Sequence, residues 1–429
     1  MQLLEKQTRP KPLSLQAYGN SNDFTHGLFR FPGRFHPPLV SYLLGLHPEA
    51  AIIGDPMVGS GTVAVQAVAS GKSGIYSDVD PLSCLLTRAK SRPVEPQWLL
   101  RTIRLIIDRA RLVSGTSTER SEARRFISDL EGSTQFRTPP DVFHWFRPYV
   151  VVNLCKTLMS LADIDCSQRR HEALLATFAG TIRRLSRADP NTSSGLEVTW
   201  IRRKVLQGGL RFNVADELVR RANLLARGYR ELRKTLQIGK ALVAQYDARH
   251  WSALCAAANI WPDLVITSPC YISAIEYWRR HKLEYSWLGL VSPENLSEVK
   301  HTFLGMGDEE PELQDLPRCI KTSYAKLRNI GRNGQAKILA RYFNDSSSWL
   351  TEVATVLNQT EGIAYVIVGS NTNHGISLNT SLALQEIAIS VGLHASVFMR
   401  YRIKNSFMQY PTKGKRIKIE TVLRIAPAS

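Results

Sequence analysis

The chain has 429 residues and carries 55 Lys+Arg against 37 Asp+Glu, a formal charge of +18, so it is long for one core and its positive field favours a polyanionic partner. With 44% hydrophobic and 21% charged residues the composition is globular and excludes a disordered chain. Six scattered cysteines, with no Cys-x-x-Cys pair and no nearby histidines, exclude a zinc or disulfide framework; with no apolar run near the ~20 residues of a membrane span and no leader, they predict a cytoplasmic protein without membrane association.

Residues 1–23 are polar and proline-containing and read as a loose arm. Phe29–Pro38 then packs aromatics, basic groups and three prolines into ten residues, before Leu39–Leu44, a short helix opened by proline. Ala51–Gly54 reads as a buried strand, Asp55-Pro56-Met57-Val58-Gly59-Ser60-Gly61-Thr62 as a glycine-bearing turn and Val63–Ala69 as a helix closed by Gly71. That order makes the first half of a nucleotide-binding crossover, in which Gly59 and Gly61 let the backbone approach a ligand; Gly-x-Gly-x-x-Ala also fits a dinucleotide fingerprint. The next strand, Gly74–Ser77, ends at Asp78-Val79-Asp80-Pro81. An acid about 20 residues after such glycines accepts hydrogen bonds from ribose hydroxyls, and Asp78 is the first choice, with Asp80 its rival.

Residues 91–238 are helical in texture and arginine-rich, with helices over 101–112, 142–162 and 170–187, and read as an inserted helical domain. Arg183, Arg184 and Arg187 flank a polar loop, where they are either a solvated face or phosphate contacts. The sheet resumes at Ala241–Tyr246, ending in Asp247-Ala248. Leu264-Val265-Ile266 is too short for a helix and empties into Ser268-Pro269-Cys270-Tyr271. Glu276–Trp287 reads as a basic-aromatic helix carrying Arg279 and Arg280 beside that loop, and 291–317 as a mobile loop. A helix over 335–358, a strand over 363–368, a helix near 380–391 and strands near 396–403 and 417–425 follow, with a basic loop between the last two that holds Lys404, Lys413 and Lys415.

Ser268-Pro269-Cys270-Tyr271 resembles motif IV of the DNA amino-methyltransferases, usually Ser/Asn/Asp-Pro-Pro-Tyr, whose serine form accompanies cytosine-N4 enzymes; Cys270 stands where the family has a second proline. The octapeptide from Asp55 resembles their motif I, Asp-Pro-Phe-x-Gly-Ser-Gly-Thr, with Met57 for the phenylalanine, and the family match weighs Asp55-Pro56 against the dinucleotide reading. The segment through Phe31, His36 and Pro37 looks like motif X, which closes over the methionine end of the cofactor, and Asp247-Ala248 like motif III, whose aspartate reaches toward the adenine amine.

The resemblance covers residues 24–90 and 240–425. It implies an α/β class I methyltransferase fold: a Rossmann-like, mostly parallel sheet with a C-terminal antiparallel hairpin, formed by residues 24–90 and 239–429 around the insertion. It implies S-adenosyl-L-methionine as cofactor, held by the motif X residues, Asp55, Pro56, Gly59, Gly61, Thr62, Asp78 or Asp80, Asp247 and Ala248. It further implies methylation of the N4 amine of cytosine in double-stranded DNA by base flipping, in a restriction-modification system beside a cognate endonuclease. Ser268 and the Pro269 carbonyl would accept the amine protons while Tyr271 stacks on the base. Adenine-N6 methylation, RNA methylation, carbon-5 chemistry on Pro269-Cys270 and a cofactor-free DNA-binding regulator are the alternatives.

Overall fold

The computed structural model describes residues 15–31, 33–113, 117–189, 199, 202–204, 212–235, 237–272, 276–369, 371–402 and 419–428. Lys404, Lys413 and Lys415 lie outside them. The strands are β1 (Ile52–Asp55), β2 (Ser73–Asp78), β3 (Ala241–Gln245), β4 (Leu264–Thr267), β5 (Ile363–Gly369), β6 (Asn371–Asn373), β7 (Ile376–Leu378), β8 (Leu393–Arg402) and β9 (Ile419–Pro427). Seven of them form one sheet in the order β3-β2-β1-β4-β5-β9-β8, and β6 and β7 pair separately. β1 to β5 run parallel, while β9 is antiparallel to both β5 and β8. This is the class I, Rossmann-like arrangement with an antiparallel C-terminal hairpin expected from the sequence.

The helices are α1 (Pro37–Gly45), α2 (Thr62–Ala69), α3 (Pro81–Ser91), α4 (Pro96–Ala110), α5 (Arg120–Ser133), α6 (Val142–Trp145), α7 (Pro148–Ala162), α8 (Gln168–Leu185), α9 (Val214–Arg233), α10 (Trp251–Ala258), α11 (Tyr277–Arg280), α12 (Lys282–Trp287), α13 (Leu296–Thr302), α14 (Arg318–Asn329), α15 (Asn333–Thr360) and α16 (Thr380–Ser390). Strands buried on both faces need apolar cover on both. Leu39, Leu43, Val63 and Ala64 of α1 and α2 supply one layer against Ile53, Leu264 and Ile266. Trp251, Trp349, Val353 and Leu384, from α10, α15 and α16, supply the other against Val265, Ala364 and Val366.

The arginine-rich helices α4 to α9 build a third core, and it does not stop at residue 91. Leu82, Leu85 and Leu86 of α3 and Leu283, Tyr285 and Trp287 of α12 belong to the same cluster as Leu99, Val151, Phe178 and Leu225. Arg88 of α3 reinforces the seam by donating to Glu172 of α8 at 2.6 Å. The stretch 276–287, expected as one helix with a basic face, is two short helices turned inward, with Arg280, Leu283, Glu284, Tyr285 and Trp287 buried. The expected loop 291–317 contains α13, and Phe303 and Leu316 within it are buried.

The strand order reverses beside β1, which leads to β2 on one side and pairs with β4 on the other. Ligands of open α/β sheets bind outside the carboxyl ends of the strands at such a point. Asp263 closes the opposite end of this pair by accepting from the Ala51 and Ile52 amides at 2.9 and 2.8 Å. Gly54 lies directly over Trp251, where a Cβ would sit 2.6 Å from the indole and 2.8 Å from Pro262. Gly54→Ala therefore overpacks β1, at a cost of about 1–3 kcal/mol. A chemical-denaturation midpoint unchanged from the parent would show that α10 yields freely and that β1 is not held by this contact.

Candidate active site

The glycine turn is locked to the tip of β2. Gly59 and Gly61 have φ of +47° and +76°, a region that favours glycine, and a Cβ on Gly61 would come 2.7 Å from the Thr87 hydroxyl oxygen. The Asp78 carboxylate accepts from the Gly59 amide at 2.8 Å and the Asp80 amide at 2.9 Å. Burial, reinforced by the charge of Asp80, pushes the Asp78 carboxyl well above the ordinary carboxylate range. Beneath the turn the buried Lys90 ammonium donates to the Ser60 carbonyl, and desolvation brings its pKa down to about 7. Asp55, at the end of β1, accepts from the Met57 amide at 3.1 Å and the Thr267 hydroxyl at 2.7 Å, and burial pushes it up to about 8.

Asp80 has a different occupation from the one expected. It caps α3 through the Leu82 amide at 2.8 Å and takes the Ser83 and Tyr285 hydroxyls at 2.8 and 2.9 Å, with His281 Nδ1 2.7 Å away. Burial works to raise its pKa, but the His281 charge and these hydrogen bonds outweigh it and hold the carboxyl below the usual range. Asp80 is buried with these four partners, whereas Asp78 is partly exposed; both line the cleft over the strand ends.

A cleft of about 800 Å³, counting its open mouth, lies over the ends of β1, β2 and β4. Phe31, Asp55, Pro56, Gly59, Thr62, Asp78, Asp80, Asp247, Ala248 and Ser268 line it, among the residues singled out in the sequence. His36, Pro37, Gly61, Pro269 and Tyr271 do not: His36 and Pro37 open α1, and Gly61 shapes the turn. Asp247, the motif III candidate, is chelated by Arg249, with a closest contact of 2.6 Å. Sequence reading missed Arg34, Cys270, Tyr277 and the run Thr302-Phe303-Leu304 as cleft residues. Phe31 and Tyr277 stack at 5.3 Å with 26° between their rings, so the aromatic-proline segment before α1 meets α11 at this wall.

At the end of β4 the Ser268 hydroxyl donates to the Ile367 carbonyl at 3.1 Å. Its proton is thereby committed, and what it offers the cleft is an oxygen acceptor. The Tyr271 hydroxyl donates to Glu420 at 2.6 Å, and Tyr401 donates to the other oxygen of the same carboxylate. Burial pushes the Cys270 thiol up to about 12.

The basic residues divide. Arg183 is ion-paired at 3.0 Å with the fully buried Glu284 and donates to the Arg280 carbonyl, so the expected phosphate contact is a structural strut; buried Arg280 is likewise part of the interior. Arg184 and Arg279 have side chains 66% and 52% exposed, with acidic partners at 3.9 and 3.4 Å. Arg187 is half-buried, and its backbone amide donates to the Trp145 carbonyl at 2.7 Å. Arg184 shares its field with Arg30 and Arg202, and Arg187 with Arg147 and Arg120, a concentration of positive charge running from beside Phe31 along the end of α8. Among the described residues no cluster of His, Cys, Asp and Glu is arranged to hold a metal ion, and no helix is long and apolar enough to cross a membrane.

No protein-family model matches the chain. The type II methyltransferase M.MvaI of Kocuria varians is 22% identical over 421 residues, which span 92% of this chain and 87% of that protein. The type II methyltransferase M.MjaII of Methanocaldococcus jannaschii is 37% identical over 79 residues, 18% of this chain and 15% of that one. Among solved structures, the rRNA methyltransferase AviRa of Streptomyces viridochromogenes aligns with a TM-score of 0.31 and 10% identity, covering 92% of this chain and 88% of its own. The chain is therefore similar to one type II methyltransferase over almost its whole length and to a second over 79 residues.

Proposed function

We propose that the protein is an S-adenosyl-L-methionine-dependent DNA methyltransferase that acts on the exocyclic N4 amine of cytosine, in the cytoplasm and as the modifying partner of a cognate endonuclease. The observation that carries this reading is that the glycine turn with Asp78 and the loop bearing Ser268 open into one cleft. The cleft fits the cofactor chemically. Asp78 presents an acceptor for ribose hydroxyls, Gly59 allows close backbone approach, and Phe31, Val79, Phe303 and Leu304 give apolar walls for an adenosyl group. When bound, the cofactor supplies an electrophilic methyl group on a sulfonium.

The residues of the chain contribute positioning and electrostatics. An exocyclic amine has its lone pair delocalised into the ring and becomes nucleophilic only as the nitrogen turns tetrahedral. The Ser268 oxygen, its own proton held by Ile367, accepts one amine hydrogen, and the Pro269 carbonyl the other. Tyr271, anchored beside the cleft through its hydroxyl to Glu420, is assigned the stacking role. The base must leave the duplex to reach this site, at a cost of a few kcal/mol. Phosphate contacts by the arginines around Arg184 and Arg187 help to offset it. Carbon-5 chemistry is disfavoured because a thiol pushed up to about 12 holds almost no thiolate at neutral pH. Nucleosides from modified DNA, resolved by mass spectrometry, separate N4-methylcytosine from N6-methyladenine, and finding only the latter would overturn the choice of base.

Two substitutions separate the chemistry from base capture. Ser268→Ala lowers single-turnover methylation on the order of 10²-fold while DNA affinity holds, because its hydrogen bond strengthens as the nitrogen becomes tetrahedral. Tyr271→Ala instead weakens base capture by roughly 1–3 kcal/mol. Wild-type turnover by Ser268→Ala would remove the chemical basis of the assignment.

Cofactor affinity depends on pH through Asp78. Its pKa is raised in the free protein and a ribose binds the ionised form, so binding releases a proton and tightens as pH rises through that raised value. Calorimetry of S-adenosyl-L-homocysteine binding should show this rise in the parent and a weaker, flat profile in Asp78→Asn; parallel profiles would place the ribose elsewhere.

The basic ridge is tested by salt. Replacing Arg184 and Arg187 together with serine lowers the slope of log affinity against log salt by roughly 0.9 for each phosphate that is no longer neutralised. An unaltered slope would identify them as a solvated helix end.

A further inference from the structure

Asp345 of α15 does not line the cleft, yet both ends of one cleft wall are fastened to it. Thr302, Phe303 and Leu304 form that wall, beside Asp78, Asp247 and Ala248. At one end the Asp345 carboxylate pairs with Arg249 at 3.0 Å, and Arg249 donates to the Thr302 carbonyl at 3.3 Å. At the other end the second Asp345 oxygen accepts the Gly305 amide at 2.7 Å. Gly305 holds φ +77°, and a Cβ there would lie 3.0 Å from the Ile338 carbonyl and 3.1 Å from the Tyr342 Cβ. Ile338, Tyr342 and Asp345 stand at helical spacing on one face of α15, and that face is the bed of the segment.

The same Arg249 chelates Asp247 at 2.6 Å, and the Tyr246 amide donates to the Asp78 carbonyl at 3.0 Å, so the exit of β3 adjoins the exit of β2. The segment 302–305 is thereby joined to the side of the cleft that carries Asp78. Removing the Asp345 carboxylate leaves the Arg249–Asp247 pair in place and cuts the hold on 302–305.

We propose that Asp345 is a positioning residue for the cofactor: by gripping 302–305 at both ends it holds Phe303 and Leu304 as the wall against which the adenosyl group packs. This rests on the methyltransferase reading above. A backbone left free would have to be ordered when the ligand arrives, whereas charge-assisted hydrogen bonds to one carboxylate order it beforehand.

Calorimetry on the full chain with S-adenosyl-L-homocysteine, and with 5′-methylthioadenosine, which lacks the amino-acid end, tests this without knowledge of the DNA sequence recognised. Asp345→Ala should bind both ligands about tenfold more weakly than the parent, by the same factor for each, because the wall meets the part they share. Asp345→Asn fills the same space but loses the charge that holds Arg249, and should weaken both by about threefold or more. It decides the question alone if Asp345→Ala does not fold. Parent affinities in the folded variants, even with a lowered denaturation midpoint, would show that Asp345 serves stability only and would overturn the inference. A loss confined to S-adenosyl-L-homocysteine would overturn it too, by placing the wall at the methionine end. Failure of the parent to bind S-adenosyl-L-homocysteine would overturn the cofactor reading together with it.

Discussion

The carboxylate of Asp78 is the point on which the site depends. It is the last residue of β2, yet one of its oxygens is bonded to Gly59 in the loop after β1, so two parallel strands are joined at their exits as well as along their length. The bond requires Gly59 to hold a positive φ, and the turn it fixes brings Gly61 against Thr87 and Ser60 over Lys90. The neighbouring Asp80 takes the opposite part. By filling its four hydrogen-bond positions it joins α3 to α11 and α12 and so sets where Tyr277 stands. Two acids separated by one residue therefore divide the labour, one facing the ligand space and one organising the wall around it.

Much of this is legible in the sequence because strand ends carry their chemistry in contiguous residues. Asp55 through Thr62, Asp78 and Ser268 each follow a short apolar run, and a parallel sheet brings such ends together without further information. Arg183 misleads for the complementary reason. Its partner Glu284 lies 101 residues away, and nothing around either residue marks the pair. The same distance hides the inward turn of α11 and α12, since charge at helical spacing looks like a wet face until its counter-charge is found. The stretch 291–317 reads as a mobile loop because the grip of Asp345 and Arg249 that makes 302–305 a wall is tertiary. The helical layer illustrates a third limit: its beginning at residue 91 is a change of texture in the sequence and not a break in the packing, because α3 serves both the sheet and the arginine-rich helices.

The two aromatic groups of the site have unlike supports. Tyr277 and Phe31 lean on each other and on His281, within a cluster whose polar centre is Asp80. Tyr271 is held by its hydroxyl, through a carboxylate near the start of β9 that also binds Tyr401 of β8. The Phe31–Tyr277 wall is thus fastened to the β1–β2 half of the sheet, and the loop after β4 to the C-terminal hairpin.

Lys90 gives the turn a further property. Among the described residues the hydrogen-bond acceptor of the Lys90 ammonium is the Ser60 carbonyl, and desolvation brings its pKa down to about 7. Burial holds the lysine below its ordinary value, so an opening that let water reach the ammonium would raise that value, and the closed turn is favoured as pH rises through about 7. The glycines make the backbone permissive, and the lysine beneath fastens the Ser60 carbonyl, so the shape of the cradle is linked to the protonation of a group that lies outside the cleft.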